Sequence, residues 1–198
     1  GMLANKEIAT VVADALSRYN ILTILDPVMV SSSGHRLLSL DAQEVVKERL
    51  LPLSTLVTPN IPEMEALTAM SLTTAEEKLS AAQYLLSLGA QAVLLKGGHE
   101  EGDTKCDTLY QLDGRNITQL HLSTPTVATK NIHGTGCTLS SAIAAFMARG
   151  LALREAVQDA KNYITEAILS GADIAIGNGF GPVNHLFNPL PMQVYEER

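Results

Sequence analysis

The stretch from Thr129 to Ser140, TKNIHGTGCTLS, limits what this chain can become more than any other. Gly134 and Gly136 lie two residues apart, Cys137 follows, and an apolar run with helical spacing begins behind them. Glycine tolerates positive φ and lets a ligand approach the backbone closely. A helix opening behind such a loop presents unpaired N–H groups and a partial positive charge. Together they make an anion site suited to phosphate. Cys137 falls in the first helical turn, a place where thiolates are favoured.

Two familiar phosphate motifs do not fit. A dinucleotide fingerprint needs a third glycine at 139, where Leu139 stands. A P-loop needs a Gly-Lys-Ser/Thr run, and Lys96 is instead followed by Gly97-Gly98. Plainer readings stay open. The glycines also suit a tight turn before a helix, and Cys137 also suits a buried structural thiol. A Cys–His nucleophile is a third option, but His133 lies outside the helix and its spacing gives no reason for a hydrogen bond to Cys137.

Read in order, the chain alternates helix and strand. Helical spacing covers 5–19, with Asn20 as its stop, and 40–50, with Asp41 in the first turn and Pro52 near the end. ILTILDPVMV at 21–30 reads as a strand buried on both faces, and TLVT at 55–58 as a second. A helix follows to about Ala69. Another, capped by Thr73 or Thr74, runs over 75–88 and is closed by Gly89. QAVLL at 91–95 is a third strand, residues 100–105 form a loop, and 107–112 with 115–121 form a hairpin turning at Asp113-Gly114. Helices to Arg149 and over 153–170 complete the pattern, and a Gly- and Pro-rich tail follows from 177.

Such alternation is an α/β fold, and parallel strands gather ligands at their carboxyl ends. Asp26, Asn60 with Glu63, and Lys96 each directly follow a strand. All therefore fall on one edge, beside the 131–137 loop. Asn60 and Glu63 suit a capping box, or Glu63 a site near Mg²⁺ or its waters; Asp26 has the same two readings. Lys96 suits a snorkelling lysine, or a point charge on a nucleotide phosphate. His35, His99, His121 and His185 lack metal-ligand spacing, and none is assigned to metal.

Composition excludes some partners. The formal net charge of −7 lacks the basic face that nucleic acid requires. No apolar run reaches the ~18 residues of a membrane span. Two cysteines without a secreted framework fit a reducing cytoplasm.

Six segments carry a resemblance: GML at 1–3, LDPVMVSSSG at 25–34, TPNIPE at 58–63, VLLKGGH at 93–99, TKNIHGTGCTLSSAIAA at 129–145 and GPVNH at 181–185. With these the chain resembles the bacterial hydroxymethylpyrimidine and hydroxymethylpyrimidine-phosphate kinases of thiamine biosynthesis, which have the ribokinase fold. Sugar and pyridoxal kinases of that fold usually carry aspartate where Cys137 stands, so the cysteine points to the pyrimidine branch. The resemblance implies a three-layer α/β/α arrangement with a mostly parallel central sheet, residues 1–198 forming one kinase unit. It implies ATP and Mg²⁺ as cofactors and a small pyrimidine as substrate, with no nucleic-acid or membrane partner.

Residue by residue, the resemblance makes Gly134, Thr135 and Gly136 an anion hole for the γ-phosphoryl group, and Cys137 the general base. It places Asp26 and Glu63 on Mg²⁺, Lys96 on ATP phosphate, Asn60 and Thr129, Lys130 and Asn131 beside the nucleotide, and Met2 and Val28 against the pyrimidine. Family members are commonly homodimers, which is implied here for a full-length version. In the family GML is internal. The segment before it carries the first strands, a Gly-rich turn and a glutamine that reads the pyrimidine. The resemblance therefore implies a C-terminal portion of the domain with N-terminal strands missing. The 198-residue chain made alone is expected to be poorly soluble or loosely folded, with little activity. A soluble monomer with one cooperative melting transition would contradict that. A pyridoxal kinase and an inactive nucleotide-binding fragment remain alternatives.

Overall fold

A computed structural model describes residues 2–19, 21–29, 37–98 and 102–189. Asn20, His35, His99, residues 30–34 of the resemblance and the tail from 190 lie outside the described residues.

The elements are α1 (Lys6–Leu16), β1 (Ile24–Leu25), α2 (Leu40–Val45), β2 (Leu56–Val57), α3 (Ile61–Thr68), α4 (Ala75–Ser87), β3 (Ala92–Leu95), β4 (Thr104–Asp113), β5 (Asn116–Pro125), α5 (Thr135–Ala148) and α6 (Leu153–Gly171). The five strands form one sheet in chain order. β1, β2 and β3 run parallel, with Leu25 opposite Val57 and Val57 opposite Val93. The hairpin β4–β5 extends this sheet antiparallel to β3.

Side chains along a strand alternate between faces, and two cores follow from that. Leu25, Val57, Val93, Leu95 and Tyr110 pack with α1 to α4 on one face. Leu56, Ala92, Leu94, Leu109 and Leu122 pack with α5 and α6 on the other. The sheet is thus the middle layer of an α/β/α stack.

Several boundaries differ from the sequence reading for local reasons. The strand expected at 21–30 shrinks to Ile24–Leu25. Pro27 has no N–H to give a ladder, and the Val28 N–H turns back to the Asp26 carbonyl at 2.9 Å. The helix expected over 40–50 widens to a π-helical turn at Val46–Leu50, then tightens to a 3₁₀ turn at Leu51–Leu53. Pro52 cannot donate to the Glu48 carbonyl, and its ring crowds that group, so the regular ladder cannot pass it. The loop expected to reach 105 ends earlier. Thr104 already pairs with Pro125, and the hairpin continues to Asp113 opposite Asn116.

Caps follow the sequence chemistry. The Asn5 side chain accepts the Ile8 N–H at 3.0 Å. Thr74 and Glu77 form a reciprocal box at the start of α4. Gly89 ends α4 with φ +106°, and an added Cβ would lie 3.0 Å from the Pro52 Cα. Gly89→Ala is therefore expected to lower unfolding stability by more than about 1 kcal/mol. Urea midpoints of the two proteins check this, and equal midpoints would refute it.

Candidate active site

Three parallel strands deliver three charged groups to one point. Asp26 follows β1, Glu63 lies in the first turn of α3 behind β2, and Lys96 follows β3. Lys96 Nζ lies 2.8 Å from Asp26 Oδ1 and 3.7 Å from Glu63 Oε2. Both carboxylates are buried, and Lys96 is nearly so. The strand ends are stitched together: the Lys96 N–H donates to the Pro59 carbonyl at 2.9 Å, and the Thr58 N–H to the Leu25 carbonyl at 2.9 Å. Sequence reasoning missed Thr58. Its hydroxyl donates to Asp26 Oδ1 at 3.2 Å and so orients the carboxylate that Lys96 meets.

Asn60 and Glu63 are a capping box. Glu63 N–H donates to Asn60 Oδ1 and Asn60 N–H to Glu63 Oε2, each at 2.8 Å. The Asn60 side-chain oxygen is thereby committed to α3, while Glu63 serves the cap and faces Lys96 at once.

The glycine loop lies directly over this cluster. Gly134 is the N-cap of α5 with φ +88°, a conformation that favours glycine. A Cβ on Gly136 would lie 3.4 Å from Lys96 Nζ and 3.8 Å from Asp26 Oδ2. Any larger residue there would push toward the ammonium. Thr135 N–H donates to the Ile132 carbonyl at 3.3 Å. The N–H groups of Gly136 and Cys137 stand in the first turn, where a helix leaves donors without intrahelical acceptors. Cys137 is exposed. The result is a positive helix end with an exposed thiol, above a cation held by two carboxylates.

A second set of contacts holds the loop from behind. His133 N–H donates to the Gly181 carbonyl at 3.0 Å, and Val183 N–H to the His133 carbonyl at 3.4 Å. The Thr138 hydroxyl donates to the Gly134 carbonyl at 2.7 Å and lies 2.8 Å from His185 Nε2. With its hydrogen given to Gly134, Thr138 accepts from the imidazole. GPVNH is thus a clip on the glycine loop.

The residues expected beside the nucleotide divide in two. Lys130 is exposed. Asn131 is buried, and its Nδ2 donates to the Gly171 and Ile174 carbonyls at 2.7 Å each, so that amide shapes the loop. Its Oδ1 accepts no hydrogen bond among the described residues. The Thr129 hydroxyl donates to the Ala172 carbonyl at 2.9 Å. At the other end, Met2 is exposed and Val28 half-buried. They lie on neighbouring segments, because Ala4 bridges Leu38 and the Leu38 N–H reaches the Met29 carbonyl.

The charges suit a divalent metal. Two buried carboxylates already face a cation, and among the described residues no third His, Cys, Asp or Glu completes a protein cage. Mg²⁺ is commonly held by one or two carboxylates, with phosphate and water supplying the rest. Burial raises the Glu63 carboxyl above its ordinary value of 4.5, and nearby Asp26 adds to this; Lys96 and the Asn60 N–H pull the other way. A carboxyl raised by folding gives stability that is full below its unfolded value and is lost as pH rises through the folded one. Glu63→Gln, which keeps an acceptor for Asn60, is therefore expected to lose less, or gain, relative to the parent as pH rises from 4 to 7. Denaturant titrations of both proteins at the two pH values check the sign. A stability difference independent of pH would refute it.

Comparison with known proteins adds the wider setting. The phosphomethylpyrimidine kinase family profile matches residues 1–184. The chain is 41% identical over 187 residues to the hydroxymethylpyrimidine/phosphomethylpyrimidine kinase of Escherichia coli, covering 93% of this chain and 69% of that protein. It is 45% identical over 187 residues to a thiamine biosynthesis bifunctional protein of Geobacter sulfurreducens, covering 94% of this chain but 37% of the relative. Its fold superposes with TM-score 0.82 and 32% identity on an ADP complex of Bacillus subtilis pyridoxal kinase, over 93% of this chain and 68% of the other. No described helix is long and apolar enough to cross a membrane.

Proposed function

The chain belongs to the phosphomethylpyrimidine kinase family, and we propose that it serves to transfer the γ-phosphoryl group of ATP to 4-amino-5-hydroxymethyl-2-methylpyrimidine and then to its monophosphate, in thiamine biosynthesis. The observation that carries this reading is the Asp26–Glu63–Lys96 cluster beneath Gly136. Phosphoryl transfer asks a protein mainly for positioning and for charge placed where charge develops.

In this reading the first-turn N–H groups of α5 receive the equatorial oxygens of the transferring group. Lys96 turns its ammonium from the carboxylates toward a nucleotide phosphate. Asp26 and Glu63 would hold Mg²⁺, which would neutralise charge on the phosphate oxygens. Thr58 holds the Asp26 carboxylate in place through its hydroxyl. Thr129 to Asn131 form the wall beside the nucleotide, with Asn131 shaping it. Met2 and Val28 meet the apolar faces of the pyrimidine. Cys137 accepts the proton of the hydroxymethyl group as the new O–P bond forms and the bond to ADP breaks. The acidic surface, with net charge −7, fits a cytoplasmic enzyme that binds a small molecule rather than nucleic acid. A homodimer completes the proposal for the full-length enzyme.

A second reading, pyridoxal phosphorylation, is favoured by the fold similarity to pyridoxal kinase. ATP turnover by the natural full-length protein with each of the two vitamin precursors separates them. Turnover of pyridoxal alone would overturn the pyrimidine assignment.

The second phosphorylation starts from a phosphate that is already ionised, so a base matters less there. Cys137→Ala is expected to lower kcat for the alcohol by about 100-fold, within the range of general-base effects, and for the monophosphate by less than about tenfold. Equal losses on both steps would remove Cys137 from the base role.

A further inference from the structure

The described site leaves one buried carboxylate unused. Asp107 stands in β4 and faces α6, and its two oxygens have separate partners. Oδ2 accepts from Lys161 Nζ at 2.8 Å, and Oδ1 accepts the Gly97 N–H at 2.9 Å. Both charged residues are more than nine-tenths buried: Asp107 is 4% exposed and Lys161 8%. A buried ion pair is weak evidence for stability, because desolvation offsets its attraction. Its location says more. Gly97 is the residue directly after Lys96, so the carboxylate grips the first peptide beyond the lysine that meets Asp26 and Glu63.

That peptide is buried at Gly97 and open at Gly98. Gly97 and Gly98 have no side chains to pack, and an added Cβ on Gly98 would meet nothing within 4 Å. Glycine backbone turns freely unless something holds it. The Lys96 N–H is fixed on one side by the Pro59 carbonyl, and Asp107 fixes the chain on the other. Lys161 keeps the anchor neutral, so no bare negative charge lies beneath a path for phosphate.

We propose that Asp107, neutralised by Lys161, is a positioning residue of the phosphoryl-transfer site: by holding the Gly97 amide it fixes the Lys96 ammonium where it can meet a nucleotide phosphate. This rests on the kinase reading above for the identity of the anion. It acts through Gly97 and Lys96 and touches no reacting atom.

Two double variants separate positioning from mere stapling of the hairpin to α6. Asp107→Asn/Lys161→Met and Asp107→Leu/Lys161→Met both lose the ion pair, but only the first keeps an acceptor for Gly97. Calorimetric titration with MgADP and amide hydrogen exchange at Gly97 are measured on both and on the parent, using the full-length natural protein. The Asn/Met protein is expected to keep the Gly97 amide protected and to bind within about threefold of the parent. The Leu/Met protein should exchange faster there and bind about tenfold more weakly, the worth of one lost hydrogen bond. Equal affinities in the two doubles would leave only the staple and overturn the proposal. If the Leu/Met protein does not fold, the Asn/Met protein decides alone: retained affinity supports the anchor, and a tenfold loss with the acceptor present overturns it. A parent that binds MgADP but phosphorylates neither precursor would sink the substrate assignment while the affinities still decide Asp107. A parent that binds no nucleotide would sink both.

Discussion

One ammonium group sets the design of the site. Lys96 Nζ lies between two buried carboxylates, one directly after β1 and one in the first turn of α3, and each of the three groups would be costly to bury without the others. The parallel strands end just before these groups: β1 at Leu25, β2 at Val57, ahead of Asn60 and its cap, and β3 at Leu95. The sheet supplies the register, and the charges supply the reason to keep it. A cluster with two negative groups and one positive group also retains one unit of negative charge, which fits a further cation.

Around this cluster the protein arranges rigid supports of different chemistry. The capping box of α3 fixes Glu63 from below. The Thr58 hydroxyl fixes Asp26 from the side. The Asp107–Lys161 pair ties the antiparallel hairpin and α6 to the backbone beyond Lys96. Above, Gly136 brings the first turn of α5 near enough that an added Cβ would lie 3.4 Å from Lys96 Nζ. The hairpin is thus joined to the chain beside the cluster both by its ladder to β3 and by the buried side chain of Asp107.

Much of this was legible in the sequence because it rests on local rules. Gly134 and Gly136 announce a loop and a helix start through backbone freedom alone. Asp26 and Lys96 stand immediately after apolar runs and Glu63 in the helix start behind one, and parallel topology brings strand ends together. What stayed hidden depends on partners far apart in the chain. Thr58 looks like any strand threonine until Asp26 lies opposite it. Asn131 looks like a loop amide open to a ligand, yet its Nδ2 belongs to carbonyls at the end of α6. Lys161 did leave a trace: it falls four residues after Val157 and three before Ile164, inside the apolar stripe of α6. A charge in such a stripe asks for a buried partner, but only the fold could name Asp107. The short β1 was hidden for another reason, since periodicity records apolar residues and not whether their amides find a ladder.

The clip formed by Gly181, Val183 and His185 has a consequence for the timing of synthesis. Chains emerge from the ribosome with the glycine loop first, then α5 and α6, and after them the clip. The loop can close its glycine turn early, but the carbonyl that receives the His133 N–H and the imidazole that meets Thr138 arrive only afterward. Domains fold as units during translation, and here the contacts that hold the glycine turn are made later than the turn itself. The geometry of the glycine turn is therefore completed only once residues 181–185 have left the ribosome.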